Sequence, residues 1–296
     1  MIIKFIPIPL KKVWGGKNLI ETYHTDEANI GEVWGISAHK SYSNIIDNGE
    51  FCGISFRELY KQKKELFGDY DAEEFPILVK VIDAAFDLSV QVHPQDEYAL
   101  IHEDSYGKDE CWYILKTHKE DTEIIIGHKA KTKEELTELV MSKNYAKLLN
   151  RFKIKPEDYF YIPSGKVHAI CQGTTLLEVS QSSDITYRLY DYERLDNGKL
   201  RELHIKQSLD VINVPDTPLE TVHNDKFFDF KIMDNFELTE YHSHAHGDYI
   251  YIISGKGCFG DVKVDTGDFL MVTTSEKYKI NGRVKYALIN LKREIN

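Results

Sequence analysis

The chain has 296 residues, with 48 acidic side chains against 37 basic ones and a formal net charge of −11. Nucleic-acid binding needs clustered Lys and Arg that displace counterions from phosphates, and the sequence contains no such run, so a nucleic-acid partner is not expected. The hydrophobic fraction of 42% and the aromatic fraction of 12% favour a folded, strand-rich protein over a disordered one, and the length allows one large or two modest domains.

The first residues and the cysteines indicate the compartment. Residues 1–10 are apolar but contain Lys4 and two prolines, and no small-residue cleavage site follows, so they resemble neither a signal peptide nor a membrane span. We expect a first strand there. The four cysteines are widely spaced and form no C-x-x-C pair, which is typical of a reducing environment. The sequence therefore predicts a cytoplasmic protein with no membrane partner.

Short β-rich runs make up most of the chain that follows. They cover residues 76–83, 88–93, 111–115, 122–127, 159–162, 174–180 and 185–190. Helical patterns interrupt the series at residues 55–66 and 132–149, the second opening with a capping signature at Thr132, and a third short helix is expected after Ile205. The spacing of the strands predicts a β-barrel or a sandwich.

A proline-punctuated stretch at residues 213–218 breaks the periodicity, so we predict two domains, 1–212 and 213–296. The second contains a faint repeat of the first, because residues 158–168 align with 268–278 in their hydrophobic frame. In this alignment Tyr278 occupies the position of His168, and a neutral phenol is a poor metal ligand. The second copy is therefore predicted to be structural.

Three histidines in the second part, His242, His244 and His246, allow a different interpretation. Their spacing suggests a second metal site, but Tyr278 supplies no answering ligand. We interpret them as a non-catalytic remnant.

The run 88–93 carries the main functional signal. Alternate side chains of a strand share a face, so we expect Leu88, Val90 and Val92 to enter a core while Ser89, Gln91 and His93 point the other way. That second face is polar and suited to binding a metal.

Four residues, distant in sequence, form a candidate coordination sphere. Two imidazoles, His93 and His168, a carboxylate, Glu110, and the amide oxygen of Gln91 could close around one divalent cation. Each histidine alone could instead be a hydrogen-bonded core residue, and Gln91 could merely orient its neighbours. A cation explains the set better, because Glu110 lies at the start of an apolar strand where an unpaired carboxylate is costly to bury.

Two further polar residues alternate with apolar neighbours on predicted strands. Arg188 should project beside the metal, although a salt bridge to Asp184 or Asp191 is an alternative. Glu178 could serve the reaction or could simply pair with Arg188, and the two roles are compatible.

Lysines occupy two unusual positions. Lys80 interrupts an apolar strand, which is an odd place for an ammonium group unless it meets an anion. Lys108, two residues before Glu110, would share its strand face, although a solvated turn lysine is an equally good interpretation.

These residues, together with several other motifs, resemble the cupin superfamily and, within it, the short bacterial type I mannose-6-phosphate isomerases. The resemblance covers nearly the whole of the first 210 residues. It is carried by residues 13–16 (VWGG), 75–80 (FPILVK), 88–94 (LSVQVHP), 110–113 (ECWY), 162–170 and 182–192 (SSDITYRLYDY). It implies a mainly β fold of two cupin-type β-barrel (jelly-roll) units, with a few helices inserted in and beside the first.

The resemblance also implies an activity and a ligand set. Family members interconvert D-mannose 6-phosphate and D-fructose 6-phosphate through an enediol. One zinc ion would be held by Gln91, His93, Glu110 and His168. Arg188 would be catalytic, with Glu178 as the candidate base, and Lys80, Ser89, Lys108 and Trp14 would meet the sugar phosphate. A monomer or weak homodimer is expected, with a small-molecule sugar phosphate as partner.

Two other function classes remain open at this level. A metal-dependent cupin oxygenase could use a similar ligand set, although such iron sites favour more histidine or a facial triad. A non-enzymatic sugar-phosphate-binding cupin would keep the pocket without needing a base.

The chain departs from the family pattern at two positions. Glu157 replaces the glycine that usually precedes the turn at 163–168, and Val13 replaces an acid found in some relatives. Neither touches the predicted metal set, so the departures bear on turn geometry and on a peripheral substrate contact.

Overall fold

A computed structural model describes residues 1–219 and 226–292. Strands dominate it, and their bounds are β1 (Ile2–Ile6), β2 (Ile8–Gly16), β3 (Ile30–Ile36), β4 (Ile45–Ile46), β5 (Ile77–Ala84), β6 (Val90–Val92), β7 (Glu110–Thr117), β8 (Glu123–His128), β9 (Leu149–Lys153), β10 (Tyr159–Ile162), β11 (His168–Ile170), β12 (Thr174–Gln181), β13 (Tyr187–Tyr190), β14 (Leu195–Asp196), β15 (Lys199–Leu200), β16 (Phe228–Asn235), β17 (Thr239–His242), β18 (Asp248–Phe259), β19 (Val262–Asp265), β20 (Phe269–Val272) and β21 (Lys277–Leu291). The α-helices are α1 (Phe56–Gln62), α2 (Asp96–His102), α3 (Lys133–Met141), α4 (Tyr145–Leu148) and α5 (Ile205–Val211). This confirms the predicted mainly β fold with few helices.

Two antiparallel sheets enclose the first barrel. One has the strand order β10-β7-β12-β5-β2-β3, and the other has the order β13-β6-β11-β8-β9. Apolar side chains from both sheets, among them Ile82, Trp112, Ile126 and Leu176, meet in one cluster between them. Because strand residues alternate between faces, the same strands also supply polar side chains to this interior.

Each outer face of the first barrel packs against another layer. Helices α3, α4 and α5 cover the sheet that contains β6, where Val90 and Val92 contact Leu136, Leu139 and Val211 in one apolar cluster. The sheet that contains β5 packs its outer face, including Val79 and Val81, against a third sheet through a large aromatic-rich core. The barrel is therefore held between helices on one side and a sheet on the other.

The third sheet has eight strands and contains all the strands after residue 226, together with β1 and β4. Strand β1 pairs with β20, with Ile2 opposite Val272 and Phe5 opposite Phe269. The face of the third sheet that points away from the first barrel forms another apolar cluster, which includes Ile250 and Tyr286. The division into 1–212 and 213–296 stays a prediction, and β1 crosses it by pairing with the later strands.

Local sequence explains where the structure differs from the predicted elements. The apolar start is two strands, because Pro7 separates β1 from β2. The predicted helix 132–149 is two helices, since Lys143 adopts a φ of +54° and the side chain of Asn144 caps α4 by accepting from the backbone N–H of Lys147. Helix α2 follows Pro94 in a stretch where we predicted no helix.

Within the described ranges, no helix is long and apolar enough to cross a membrane. All four cysteines, Cys52, Cys111, Cys171 and Cys258, are free thiols.

Candidate functional site

Three neighbouring strands of one sheet carry polar side chains into the first barrel. Glu178 on β12 lies opposite Lys80 on β5 and opposite Trp112 on β7, and Ser180 lies opposite Glu110 at the start of β7. Lys80 faces inward because its neighbours Val79 and Val81 pack outward into the inter-sheet core. The sheet register thus brings Lys80, Glu110 and Glu178 to one end of the barrel interior.

The facing sheet contributes a second row. His168 on β11 and Arg188 on β13 both lie opposite Gln91, which sits on the strand between them. Ser89 and Gln91 share the inward face, as predicted, and the Ser89 hydroxyl donates to Gln91 Oε1 at 3.1 Å. Leu88 differs from the prediction, because it precedes the regular strand and packs inward with Trp14 and Ile170 rather than with Val90 and Val92.

His93, Glu110 and His168 converge, with one potential ligand atom from each lying within 4.8 Å of the others. Nε2 of His93 lies 3.4 Å from Glu110 Oε2, and Nε2 of His168 lies 3.5 Å from Glu110 Oε1. The amide Nε2 of Gln91 lies 3.3 Å from His168 Nε2, while its Oε1 accepts from Ser89, so the predicted oxygen ligand is turned away from the cluster. All four residues of the predicted coordination sphere are therefore adjacent, and the three charged or imidazole members are buried.

Backbone carbonyls fix the orientation of both imidazole rings. Nδ1 of His93 donates to Ile185 O at 2.6 Å, and Nδ1 of His168 donates to Lys166 O at 2.9 Å. Each Nε2 lone pair is then left facing Glu110, which is how a second partner commonly prepares a histidine for a metal.

Two buried atoms at this point lack a hydrogen bond among the described residues, namely His93 Nε2 and Glu110 Oε1. An unsatisfied buried nitrogen lone pair and carboxylate oxygen are costly, and a divalent cation satisfies both at once. The donor set of two imidazoles and one carboxylate suits a divalent ion such as zinc. The residues therefore fit a metal.

The charges around the cluster favour metal-binding protonation states. Burial raises the pKa of Glu110, but Lys108 and the two imidazoles outweigh it and hold that pKa well below its usual value. Burial lowers the pKa of His168 to about 3, against the opposing effect of Glu110. Metal binding requires an ionised carboxylate and a neutral imidazole, and the site supplies both near neutral pH.

Lysines and carboxylates alternate beside the cluster. Lys108 forms an ion pair with Glu110 and lies 3.0 Å from Glu178 Oε1, and Lys80 lies 3.4 Å from the same oxygen. The Lys108 side chain is 4% exposed, so it is not a solvated turn lysine. Burial lowers its pKa, but Glu110 and Glu178 raise it further and keep it above its ordinary value.

A cavity of about 190 Å³ opens onto this row. Its described lining holds five cationic and three anionic side chains, which gives a positive surface inside an acidic protein. Of the residues predicted from the sequence, Trp14, Lys80, Ser89, Gln91, Lys108, Glu178 and Arg188 line it, while His93, Glu110 and His168 are buried beyond it.

The cavity also contains residues that sequence analysis missed. Lys12, Glu32, Trp34 and Arg201 belong to its wall. Burial raises the pKa of Glu32, but Lys80 and Lys12 lower it to about 2, and Trp34 Nε1 donates to its Oε2 at 2.8 Å. Glu32 alternates with apolar neighbours in residues 31–35 (GEVWG), and this strand pattern could have indicated that its side chain faces the barrel interior.

Arg188 does not form the alternative salt bridges considered above. Asp191 pairs with Arg201 at 3.3 Å, and Asp184 lies 3.7 Å from His39 Nε2. Among the described residues Arg188 has no ion pair within 4 Å, and its buried Nε lacks a hydrogen bond. Its charge is thus free to meet a ligand in the cavity.

The later strands repeat this framework with different side chains. Glu110 lies opposite Ile162, and Asp248 occupies the matching position opposite Val272. Likewise Gln91 lies opposite His168, whereas Tyr241 lies opposite Tyr278. Over residues 1–219 and 226–292, His93, Glu110 and His168 are the only metal-type cluster, so His242, His244 and His246 do not form one.

Comparison with known proteins agrees with this geometry. Residues 2–145 match the model of the phosphomannose isomerase type I catalytic domain. The chain is 48% identical over 229 residues to mannose-6-phosphate isomerase ManA of Bacillus subtilis, covering 76% of this chain and 72% of that protein. It is 46% identical over 207 residues to mannose-6-phosphate isomerase of Streptococcus mutans, covering 69% and 65%.

A crystal structure of the mannose 6-phosphate isomerase from Bacillus subtilis superposes with a TM-score of 0.91 at 34% identity, over 98% of this chain and 99% of that one. The barrels, the buried cluster and the extent of both matches lead to one assignment. The chain belongs to the type I phosphomannose isomerase family.

Proposed function

We propose that this chain is a zinc-dependent mannose-6-phosphate isomerase that interconverts D-mannose 6-phosphate and D-fructose 6-phosphate through an enediol intermediate. The observation that carries the proposal is the buried His93, Glu110 and His168 cluster beside a cation-lined cavity. Family membership supports it, because the curated relatives are named for this activity.

Gln91, His93, Glu110 and His168 would hold the ion. When bound, zinc would polarise the substrate oxygens and so make the neighbouring C–H bond more acidic. The ring orientations imposed by the carbonyls of Ile185 and Lys166 mean that the two imidazoles need little rearrangement to receive it, whereas Gln91 would turn its amide to present Oε1.

Arg188 is the residue we assign to the negative charge of the enediolate. The guanidinium group stays cationic in proteins, and this one has no carboxylate partner within the described part of the chain. A charge that is already in place when the proton leaves stabilises the transition state without reorganisation.

Glu178 is our candidate base. Its carboxylate reaches the cavity and could take the proton from one carbon and return it to the next. Lys108, 3.0 Å away, would donate a hydrogen bond to a substrate oxygen while compensating the charge of Glu178.

The remaining predicted residues suit the sugar phosphate. Lys80 and Ser89 line the cavity and would contact phosphate or hydroxyl oxygens. Trp14, buried in the same wall, would offer an apolar surface to the sugar carbons.

A coupled assay tests the proposal. Mannose 6-phosphate is supplied, and the appearance of fructose 6-phosphate is followed before and after dialysis against a chelator. We expect activity to disappear on chelation and to return with zinc. Substrate binding without product would instead identify a binding protein, and oxygen uptake during turnover would identify an oxygenase.

A further inference from the structure

The turn between β10 and β11 contains a buried ion pair outside the proposed chemistry. The Lys166 side chain is 1% exposed, and its Nζ lies 2.8 Å from Asp216 Oδ1. The same ammonium group donates to Thr217 O at 2.7 Å, and Asp216 Oδ2 accepts from the backbone N–H of His128 at 3.3 Å. The pair therefore fastens the turn to the segment that follows α5.

This turn contacts both histidines of the metal cluster. The carbonyl of Lys166 accepts from His168 Nδ1 at 2.9 Å, and the backbone N–H of Gly165 donates to the carbonyl of His93 at 2.8 Å. The backbone N–H of Ser164 donates to Asp109 Oδ1 at 2.8 Å, beside Glu110 in the sequence. A displacement of the turn would thus be felt by all three buried ligands.

Asn213 holds the turn from the same segment. Its backbone N–H donates to Gly165 O at 2.9 Å, and its Nδ2 donates to Ser164 O at 3.2 Å. A Cβ on Gly165, whose φ is +81°, would lie 2.5–2.9 Å from the Asn213 side chain. The two pieces of chain are therefore in close contact, and the Lys166–Asp216 pair supplies the charged attachment between them.

We propose that Lys166 and Asp216 are positioning residues for the metal site, which hold the Lys166 carbonyl where it orients the His168 ring. The inference deepens the proposed function and rests on its metal site. Removing Asp216 would leave a buried ammonium group uncompensated, and the turn would shift to bring that group towards water. The ring of His168 would then lose the carbonyl that directs its Nε2 towards Glu110.

Zinc affinity tests the proposal without relying on turnover. The full chain is stripped of metal, and its zinc dissociation constant is measured by competition with a chromophoric chelator. For Asp216→Asn we expect that constant to rise about 10- to 100-fold, as is common when a partner behind a metal-bound histidine is disturbed. For Asp216→Glu, which keeps the charge and moves it by one methylene, we expect a rise of only a few-fold.

Asp248→Asn is the matched control. Asp248 is also buried and hydrogen-bonded, but it lies away from the cluster, in the third sheet, which contains all the strands after residue 226 and is called the C-terminal sheet. We expect it to leave the zinc dissociation constant unchanged. Circular dichroism establishes that each variant is folded at the temperature of the titration.

Three outcomes would contradict the proposal. Unchanged zinc affinity in a folded Asp216→Asn would remove the pair from the metal site, and if that variant does not fold, unchanged affinity in a folded Lys166→Met, which removes the other partner's charge, would do so. Equal weakening in Asp248→Asn would attribute the effect to general destabilisation. A wild-type chain that binds no zinc would overturn the proposed function itself, which is a different result from wild-type binding that Asp216→Asn leaves intact.

Discussion

The first barrel and the C-terminal sheet place a carboxylate at the same strand position but satisfy it differently. In the C-terminal sheet, Asp248 accepts from Tyr278 Oη at 2.8 Å and from Asn290 Nδ2 at 2.8 Å, and His244 Nδ1 lies 2.7 Å away. In the first barrel, Glu110 Oε1 has no hydrogen-bond donor among the described residues. The hydrogen bonds of Asp248 are supplied within the protein, whereas Glu110, although paired with Lys108 through Oε2, has Oε1 left for a cation.

This difference teaches that the framework alone does not make a metal site. Tyr278 donates its hydroxyl hydrogen to the carboxylate of Asp248. His168 Nε2 lies 3.5 Å from Glu110 Oε1 and presents a lone pair, so it gives that carboxylate no hydrogen bond. The residue at this one position, His168 or Tyr278, therefore helps to determine whether the nearby carboxylate is satisfied by the protein.

The largest expected effect comes from giving the first barrel the side chain that occupies the matching position in the C-terminal sheet. His168→Tyr should abolish zinc binding and lower kcat by at least about 1000-fold, because loss of the cation removes several kcal/mol of transition-state stabilisation. Metal content and the coupled assay measure both effects. Tyr278→His is the reciprocal control and should leave kcat unchanged. If His168→Tyr kept its zinc, the comparison would be wrong.

The next effect separates charge stabilisation from metal binding. Arg188→Ala should retain zinc but lower kcat by roughly 100- to 1000-fold, the loss typical of removing one group that stabilises a developing oxyanion. Steady-state kinetics with metal analysis test this. Arg283→Ala, at an exposed position on β21, is the control for removing an arginine. An undiminished kcat would remove Arg188 from the mechanism.

Acid should destabilise the first barrel through Glu32. Its folded pKa of about 2 lies below the ordinary value of 4.5, so its contribution to stability is present above pH 4.5 and is lost as the pH falls towards 2. The full contribution is on the order of 3 kcal/mol. Urea unfolding midpoints between pH 6 and pH 3 should fall more steeply for the wild type than for Glu32→Gln. Parallel curves would contradict this assignment.

Asp248→Asn should cost stability without costing activity. The amide can no longer accept from all of its neighbours, and a buried donor left unpaired costs about 1–3 kcal/mol. Thermal unfolding measures the loss, and the coupled assay should give the wild-type kcat. A large fall in kcat would show that the C-terminal sheet takes part in the reaction.

The smallest effect concerns the turn that both copies share. Gly165 and Ser275 are matched in the repeat, and both have positive φ, +81° and +55°. Serine is strained in this region, so Ser275→Gly should stabilise the protein by at most about 1 kcal/mol. Differential scanning calorimetry can detect the shift. Gly165→Ser is the opposite change and should destabilise, since a Cβ there meets Asn213.

The strand faces that carry the candidate metal cluster could be predicted from the sequence because each depends on alternation along a single strand, and the two-unit fold could be predicted from the family resemblance. Gln91 and His93 share a face whatever the partner strand is, and a carboxylate such as Glu110 at the start of an apolar strand requires compensation. The residues of the cavity wall were harder to predict from the sequence. Arg201 follows a short hairpin, and Lys12 lies on a strand of irregular register, so their place depends on tertiary contacts that no local pattern records.

The Lys166–Asp216 pair was hidden for the same reason. Lys166 stood in the motif that identified His168, but its partner belongs to a proline-punctuated stretch that we interpreted as a boundary. Composition marks such a segment as irregular and does not reveal what it touches.

The pairing of β1 with β20 has a consequence for synthesis on the ribosome. Residues 2–6 emerge long before their partners at 269–272 are made. Until then Ile3 and Phe5, buried in the finished protein, lack one neighbouring strand, so the chain cannot complete its large core as it leaves the exit tunnel. The layer that packs against the outer face of the first barrel is therefore completed only after residues 269–272 have been made.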